Sequence, residues 1–133
     1  MTKRALIVDD DSDVRSTISM TLQAAGWEVV EVRNGEEAIV VASREYPDLI
    51  VLDVMMPRMT GFETLKQLRE DDTTDSIPVI MLTAVNDFEL GQHHDAENIG
   101  QRLGVPAPEA FLEKPLSPKE FLKAVETIFE ERL

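Results

Sequence analysis

The sequence predicts an α/β fold, a doubly wound five-stranded parallel sheet with helices on both faces. Three observations predict it. Leu49 to Leu52 run without a polar interruption into Asp53, as a strand buried on both faces does. Four further short apolar runs alternate with segments of helical periodicity, and right-handed crossovers then lay each helix against one common sheet. The apolar runs also give way to polar residues: Asp9 and Asp10 after the first, Asp53 after the third, Thr83 after the fourth and Lys114 after the fifth. In an open parallel sheet that edge is where ligands bind.

Each element has its own signal. Ala5 to Val8 is a buried strand running into Asp9, Asp10 and Asp11. Ser12 is the expected cap of a helix whose apolar positions Val14, Ile18 and Leu22 recur every four residues, and Gly26 ends it at C′. Trp27 to Val32 reads as the second strand. Asn34 with Glu37 makes a capping pattern for a helix carrying Ala38, Ile39 and Ala42, and Pro47 marks the way into the Asp53 strand. Thr60 with Glu63 repeats the device for a helix with Phe62, Leu65 and Leu68. Residues 71–76 form a polar loop, and Pro78 to Leu82 is a fourth strand ending at Thr83. Ala110 to Leu112 is a short fifth strand ending near Lys114. Ser117, Pro118 and Glu120 then open a last helix with Phe121, Leu122, Val125, Ile128 and Phe129 inward.

Composition narrows the function. A chain of 133 residues is expected to form one domain, 1–133, with no internal boundary. Thirteen Lys plus Arg against 26 Asp plus Glu give a net charge of −13, which repels nucleic acid phosphates and argues against direct DNA binding. The absence of Cys excludes disulfides and thiolate metal sites and fits a reducing compartment. No apolar run approaches membrane-spanning length, so a soluble, cytoplasmic protein is expected.

An Asp after a strand is commonly a turn residue, a Thr there a helix cap, and a lone Lys a solvated surface group. Their convergence on one sheet edge changes the reading. Two like charges about 4 Å apart repel by roughly 4 kcal/mol at an effective dielectric near 20, so three clustered carboxylates call for a cation or a bound proton. Oxygen ligands suit Mg²⁺, which is usually held by one or two carboxylates plus a phosphate. An Asp nucleophile toward a phosphoryl group follows, with Lys114 and Thr83 placed to hold the other phosphoryl oxygens. His93 and His94 are not read as ligands, since helix neighbours do not share a face.

The pattern resembles the receiver domain of bacterial two-component response regulators over nearly the whole chain. Asp9 and Asp10 after LeuIleVal, Asp53 before MetMetPro and Gly61, Thr83 before Ala84, and Lys114 before Pro115 carry the resemblance. It implies the flavodoxin-like strand order 2-1-3-4-5, taken over from the chemotaxis regulator of that family. It further implies that Asp53 accepts the phosphoryl group, that Asp10, Asp53 and the Met55 backbone carbonyl bind Mg²⁺, and that Asp9 acts through water. Thr83 and Phe111 fall at the switch positions. The implied partners are a histidine kinase or histidine phosphotransfer protein and a downstream protein target, with phosphorylation-dependent dimerisation left open. Catalysis is expected to extend only to self-phosphorylation and slow self-dephosphorylation.

The chain departs from that family between Thr83 and Lys114. An average helix, two short loops and a short strand need roughly 25 residues or fewer, and this span is longer. Residues 84–109 are therefore expected to form an atypical, extended fourth crossover, with a longer or displaced helix and a Pro-containing loop over 86–108. Two alternatives to the switch are weighed. A phosphohydrolase with an aspartyl nucleophile would carry a second Asp two positions on, where Met55 stands, and an interaction module that accepts no phosphate would more naturally have lost Asp10, Asp53 or Lys114. The Lys114–Pro115 peptide is expected to be cis, because the loop must turn sharply to aim the ammonium inward. Apolar Met55 and Val85 beside the site predict slow loss of the phosphoryl group.

Overall fold

The computed structural model describes residues 2–84 and 96–130 of the chain. Five parallel strands, β1 (Arg4–Val8), β2 (Glu28–Val32), β3 (Leu49–Asp53), β4 (Val79–Thr83) and β5 (Ala110–Glu113), form one sheet in the order β2-β1-β3-β4-β5. The helices are α1 (Ser12–Ala24), α2 (Gly35–Glu45), α3 (Gly61–Glu70), α4 (Ala96–Leu103) and α5 (Pro118–Glu130). This is the architecture that the alternation of apolar runs and helical segments predicts. Val85, His93 and His94 lie outside the described residues.

Strand alternation divides the core into two layers. Leu6, Val8, Ile50, Leu52, Val79 and Met81 face α2 and α3, joined by Ala38, Leu65 and Leu68. Ala5, Ile7, Leu49, Val51, Ile80 and Leu82 face α1 and α5, joined by Ile18, Leu22, Phe121 and Val125. Both faces of the three central strands are buried, which is why β3 and β4 read as continuous apolar runs with no alternation.

Local chemistry sets the helix ends. Thr60 and Glu63 form a reciprocal capping box at α3. Asn34 Oδ1 accepts from Glu37 N–H at 2.9 Å, but the Glu37 carboxylate receives the Arg33 N–H at 3.4 Å, so only half of a box is made at α2. The cap of α1 is Asp11, one residue earlier than Ser12: its carboxylate accepts from Asp13 N–H at 2.9 Å, and Ser12 is already helical. Gly26, at φ +94°, takes the left-handed position after that helix. Ser117 Oγ accepts from Glu120 N–H at 3.3 Å to start α5. Trp27 and Pro78 each stand just outside the strands they were expected to open.

Arg69 fastens the far end of the fourth crossover. Its buried guanidinium, at the end of α3, donates to the carbonyls of Asp75, Ile77, Pro106 and Ala107 and pairs with Glu109 at 2.9 Å. Glu109 Oε1 also receives the Val79 N–H at 2.7 Å, so one ion pair joins the starts of β4 and β5. Gly100 of α4 rests on Ala107, where an added Cβ would meet the Ala107 backbone at 2.9 Å.

Candidate functional site

The carboxyl ends of β1, β3, β4 and β5 bring the site residues together. Asp53 is the last residue of β3 and is 3% exposed; Asp9 follows β1 and is fully buried; Asp10 next to it is exposed. Carboxylate oxygens of these three residues all lie within 4.8 Å of one another. Lys114, one residue past β5, reaches across with Nζ 3.1 Å from Asp53 Oδ1 and 3.0 Å from Asp9 Oδ2. Its backbone N–H donates to the Thr83 carbonyl at 2.7 Å, and the Lys114–Pro115 peptide is cis, as the required turn predicts.

The loops around the cluster are tied to it. Asp9 Oδ1 accepts from Asp11 N–H at 2.9 Å, and Asp11 in turn caps α1. After β3, Val54 N–H donates to the Leu82 carbonyl at 2.9 Å and Gly61 N–H to the Val54 carbonyl at 2.8 Å. A side chain at Gly61 would strike the Asp53 carbonyl, so only glycine lets α3 start this close to β3. Between them Arg58 adopts φ +68°, with Met59 N–H donating to the Pro57 carbonyl at 2.8 Å. The Met55 side chain is half exposed at the mouth of this loop.

Thr83, the last residue of β4, is buried, and its hydroxyl donates to the Ala84 carbonyl at 3.2 Å. Phe111 pairs in register with Met81, two residues before Thr83, and packs half-buried on the layer that holds Met81. Sequence reasoning therefore named residues that the fold does place at one edge. It missed Arg15, whose Nη1 donates to the Asp9 carbonyl at 2.6 Å; nothing in the spacing from Asp9 to Arg15 announces that bond.

The electrostatics are those of an anion cluster with too few cations. Burial pushes the Asp53 carboxyl up to about 7, helped by the Asp9 and Asp10 charges and opposed by Lys114. Burial alone would lower the Lys114 ammonium, but the close carboxylates of Asp53 and Asp9 outweigh it and hold it above the usual lysine value. Asp9 Oδ2, fully buried, has the ammonium as an ion-pair neighbour but makes no aligned hydrogen bond. A set of hard oxygen donors in deficit of positive charge fits a hard divalent cation.

Beside Lys114 an apolar groove of about 440 Å³ opens between α1 and the loop after β5, lined by Asp13, Val14, Thr17, Ile18, Pro115 and Leu116. No helix among the described residues is long and apolar enough to cross a membrane.

Residues 5–126 match the response regulator receiver domain. The chain is 36% identical over 126 residues to the probable transcriptional regulator ycf27 of Porphyra purpurea, covering 95% of this chain and 47% of that protein. It is 38% identical over 128 residues to the alkaline phosphatase synthesis transcriptional regulatory protein PhoP of Bacillus subtilis, covering 96% of this chain and 49% of that one. It thus spans about half the length of these two curated relatives. The chemotaxis response regulator CheY4 of Vibrio cholerae superposes with a TM-score of 0.80 at 34% identity, covering 96% of this chain and 99% of that chain. With the match running from the first strand into the last helix, on a sheet of order 2-1-3-4-5, the chain belongs to the receiver domains of two-component response regulators.

Proposed function

We propose that Asp53 is the phosphoacceptor of a Mg²⁺-dependent switch that takes its phosphoryl group from a histidine kinase or histidine phosphotransfer protein. The observation that carries this is the clustering of the Asp9, Asp10 and Asp53 carboxylates, two of which, Asp9 and Asp53, share the ammonium of Lys114. Asp10 and Asp53 would hold Mg²⁺ with the Met55 carbonyl, and Asp9 would hold it through water. Bound there, the ion supplies positive charge that keeps Asp53 ionised and offsets the phosphoryl oxygens.

Asp53 Oδ attacks phosphorus, a new O–P bond forms, and the P–N bond of the donor phosphohistidine breaks with its electron pair left on the imidazole. Lys114 stays within reach of the acyl phosphate and neutralises one of its oxygens; the Thr83 hydroxyl serves another. Engaging Thr83 draws on the layer that Phe111 packs against, which gives added charge a route to the surface near Thr83 and Phe111. The apolar groove beside Lys114 offers the donor protein a seat next to the acceptor. Residues 84–109 act as an atypical fourth crossover that shapes the surface read by a downstream protein.

The test is intact mass after incubation with a small phosphodonor and Mg²⁺. One phosphoryl adduct is expected on the native protein and none on Asp53→Asn or in excess chelator. An adduct that persists in either control would remove the proposal.

A further inference from the structure

Arg15 sits beneath the acidic cluster without contributing to the carboxylate set. It is the fourth residue of α1 after the Asp11 cap, its N–H donates to the Asp11 carbonyl at 3.1 Å, and its side chain is only 13% exposed. From there Nη1 donates to the Asp9 carbonyl at 2.6 Å, while Nε faces Glu31 Oε1 of β2 at 3.4 Å. The planar guanidinium can serve both acceptors at once because its donors form a rigid fork.

The Asp9 carbonyl belongs to the peptide that leads into Asp10. A planar peptide held at its oxygen is held throughout, so fixing that carbonyl fixes the backbone from which the Asp10 side chain departs. Asp10 is exposed, so burial does not set its direction as it does for Asp9 and Asp53. Two other bonds brace this turn among the described residues, that of Asp11 N–H to Asp9 Oδ1 and the longer one of Asp9 N–H to the Val32 carbonyl at 3.4 Å.

We infer that Arg15 is a positioning residue for the cation site, orienting Asp10 through the Asp9 carbonyl while Glu31 holds the guanidinium in place. The inference rests on the metal-binding reading above. It has a sign that charge alone would not give. Removing a cation from beside an acidic cluster should strengthen Mg²⁺ binding electrostatically, whereas losing the brace should weaken it. Groups that orient metal ligands from behind typically change affinity by about 10–100-fold when removed.

Mg²⁺ binding is titrated by calorimetry on the native protein, Arg15→Ala, Arg15→Lys and Asp53→Asn, at a temperature where circular dichroism shows each to be folded. Arg15→Ala is expected to raise the Mg²⁺ dissociation constant by about tenfold. Arg15→Lys, which keeps a donor and the charge but not the fork, is expected to recover part of that loss. Unchanged or tighter binding by Arg15→Ala overturns the inference, as does Arg15→Lys binding no better than Arg15→Ala. A native protein that takes up no Mg²⁺ overturns the site reading and this inference together. Binding lost in Asp53→Asn but untouched in Arg15→Ala leaves the site reading standing and overturns the role of Arg15 alone.

Discussion

The Lys114 ammonium lies 3.1 Å from Asp53 Oδ1 and pairs at the same time with the fully buried Asp9, so one cation is shared between two buried carboxylates. The sharing explains why Asp53 is so poor an acid. An ammonium divided between two partners offsets less than the burial and the neighbouring charges add.

Stability should therefore fall as pH rises through neutrality when no divalent ion is present. An unfolded Asp titrates near 3.9, whereas folded Asp53 titrates at about 7. Below about pH 4 both states carry the proton and Asp53 costs nothing. Between the two values the unfolded chain releases its proton first, and above about 7 the full cost, on the order of 4 kcal/mol, is present. Asp53→Asn should lack this contribution. Urea unfolding of both proteins in chelator at pH 4 and pH 8 measures it, and a gap that does not widen toward pH 8 would contradict it.

Lys114→Met should destabilise the protein at pH 8 by about 2 kcal/mol, because it strands two buried carboxylates whose shared cation is gone. The loss should shrink at pH 5, where Asp53 carries its proton, and added Mg²⁺ should restore part of it at pH 8. Thermal melts at the two pH values with and without Mg²⁺ decide the matter; a loss independent of both would point to packing.

Phosphorylated protein should decay slowly. Met55, half exposed beside Asp53, offers no group to orient an attacking water, and Val85 is equally apolar in the sequence. A barrier difference of about 1.4 kcal/mol would lengthen the lifetime tenfold. Decay of the phosphoprotein is followed in the native chain and in Met55→Asn with Val85→Glu. A double variant that decays no faster would show that these side chains do not set the rate.

Arg69→Ala should cost about 3 kcal/mol, since it leaves the partly exposed Glu109 carboxylate and four backbone carbonyls without the buried guanidinium. Hydrogen exchange should quicken in the 104–109 loop and at Val79 while the amides of β1 and β3 keep their protection ranking. Equal loss of protection throughout the sheet would mean that Arg69 supports the whole core.

The sequence by itself determined the strands, most helix ends and which candidate residues follow the strand ends. Apolar runs such as Leu49–Leu52, the Thr60–Glu63 box and the polar residue after each run act over a few positions, where period and capping chemistry leave little choice. The strand order came from the resemblance alone, because local pattern says which segments are strands but not which are neighbours. Even nearby, Ser12 and Asp11 competed for one cap, and Asp11 won because its carboxylate reaches Asp13 N–H. What only the tertiary structure decided are the contacts made across distance. Lys114 meets Asp53 from 61 positions away, Arg69 meets Glu109 from 40, and Arg15 bonds a carbonyl whose orientation depends on how β1 leaves the sheet. The raised pKa of Asp53 belongs with them, since burial and shared charge exist only once the sheet has brought the strand ends together.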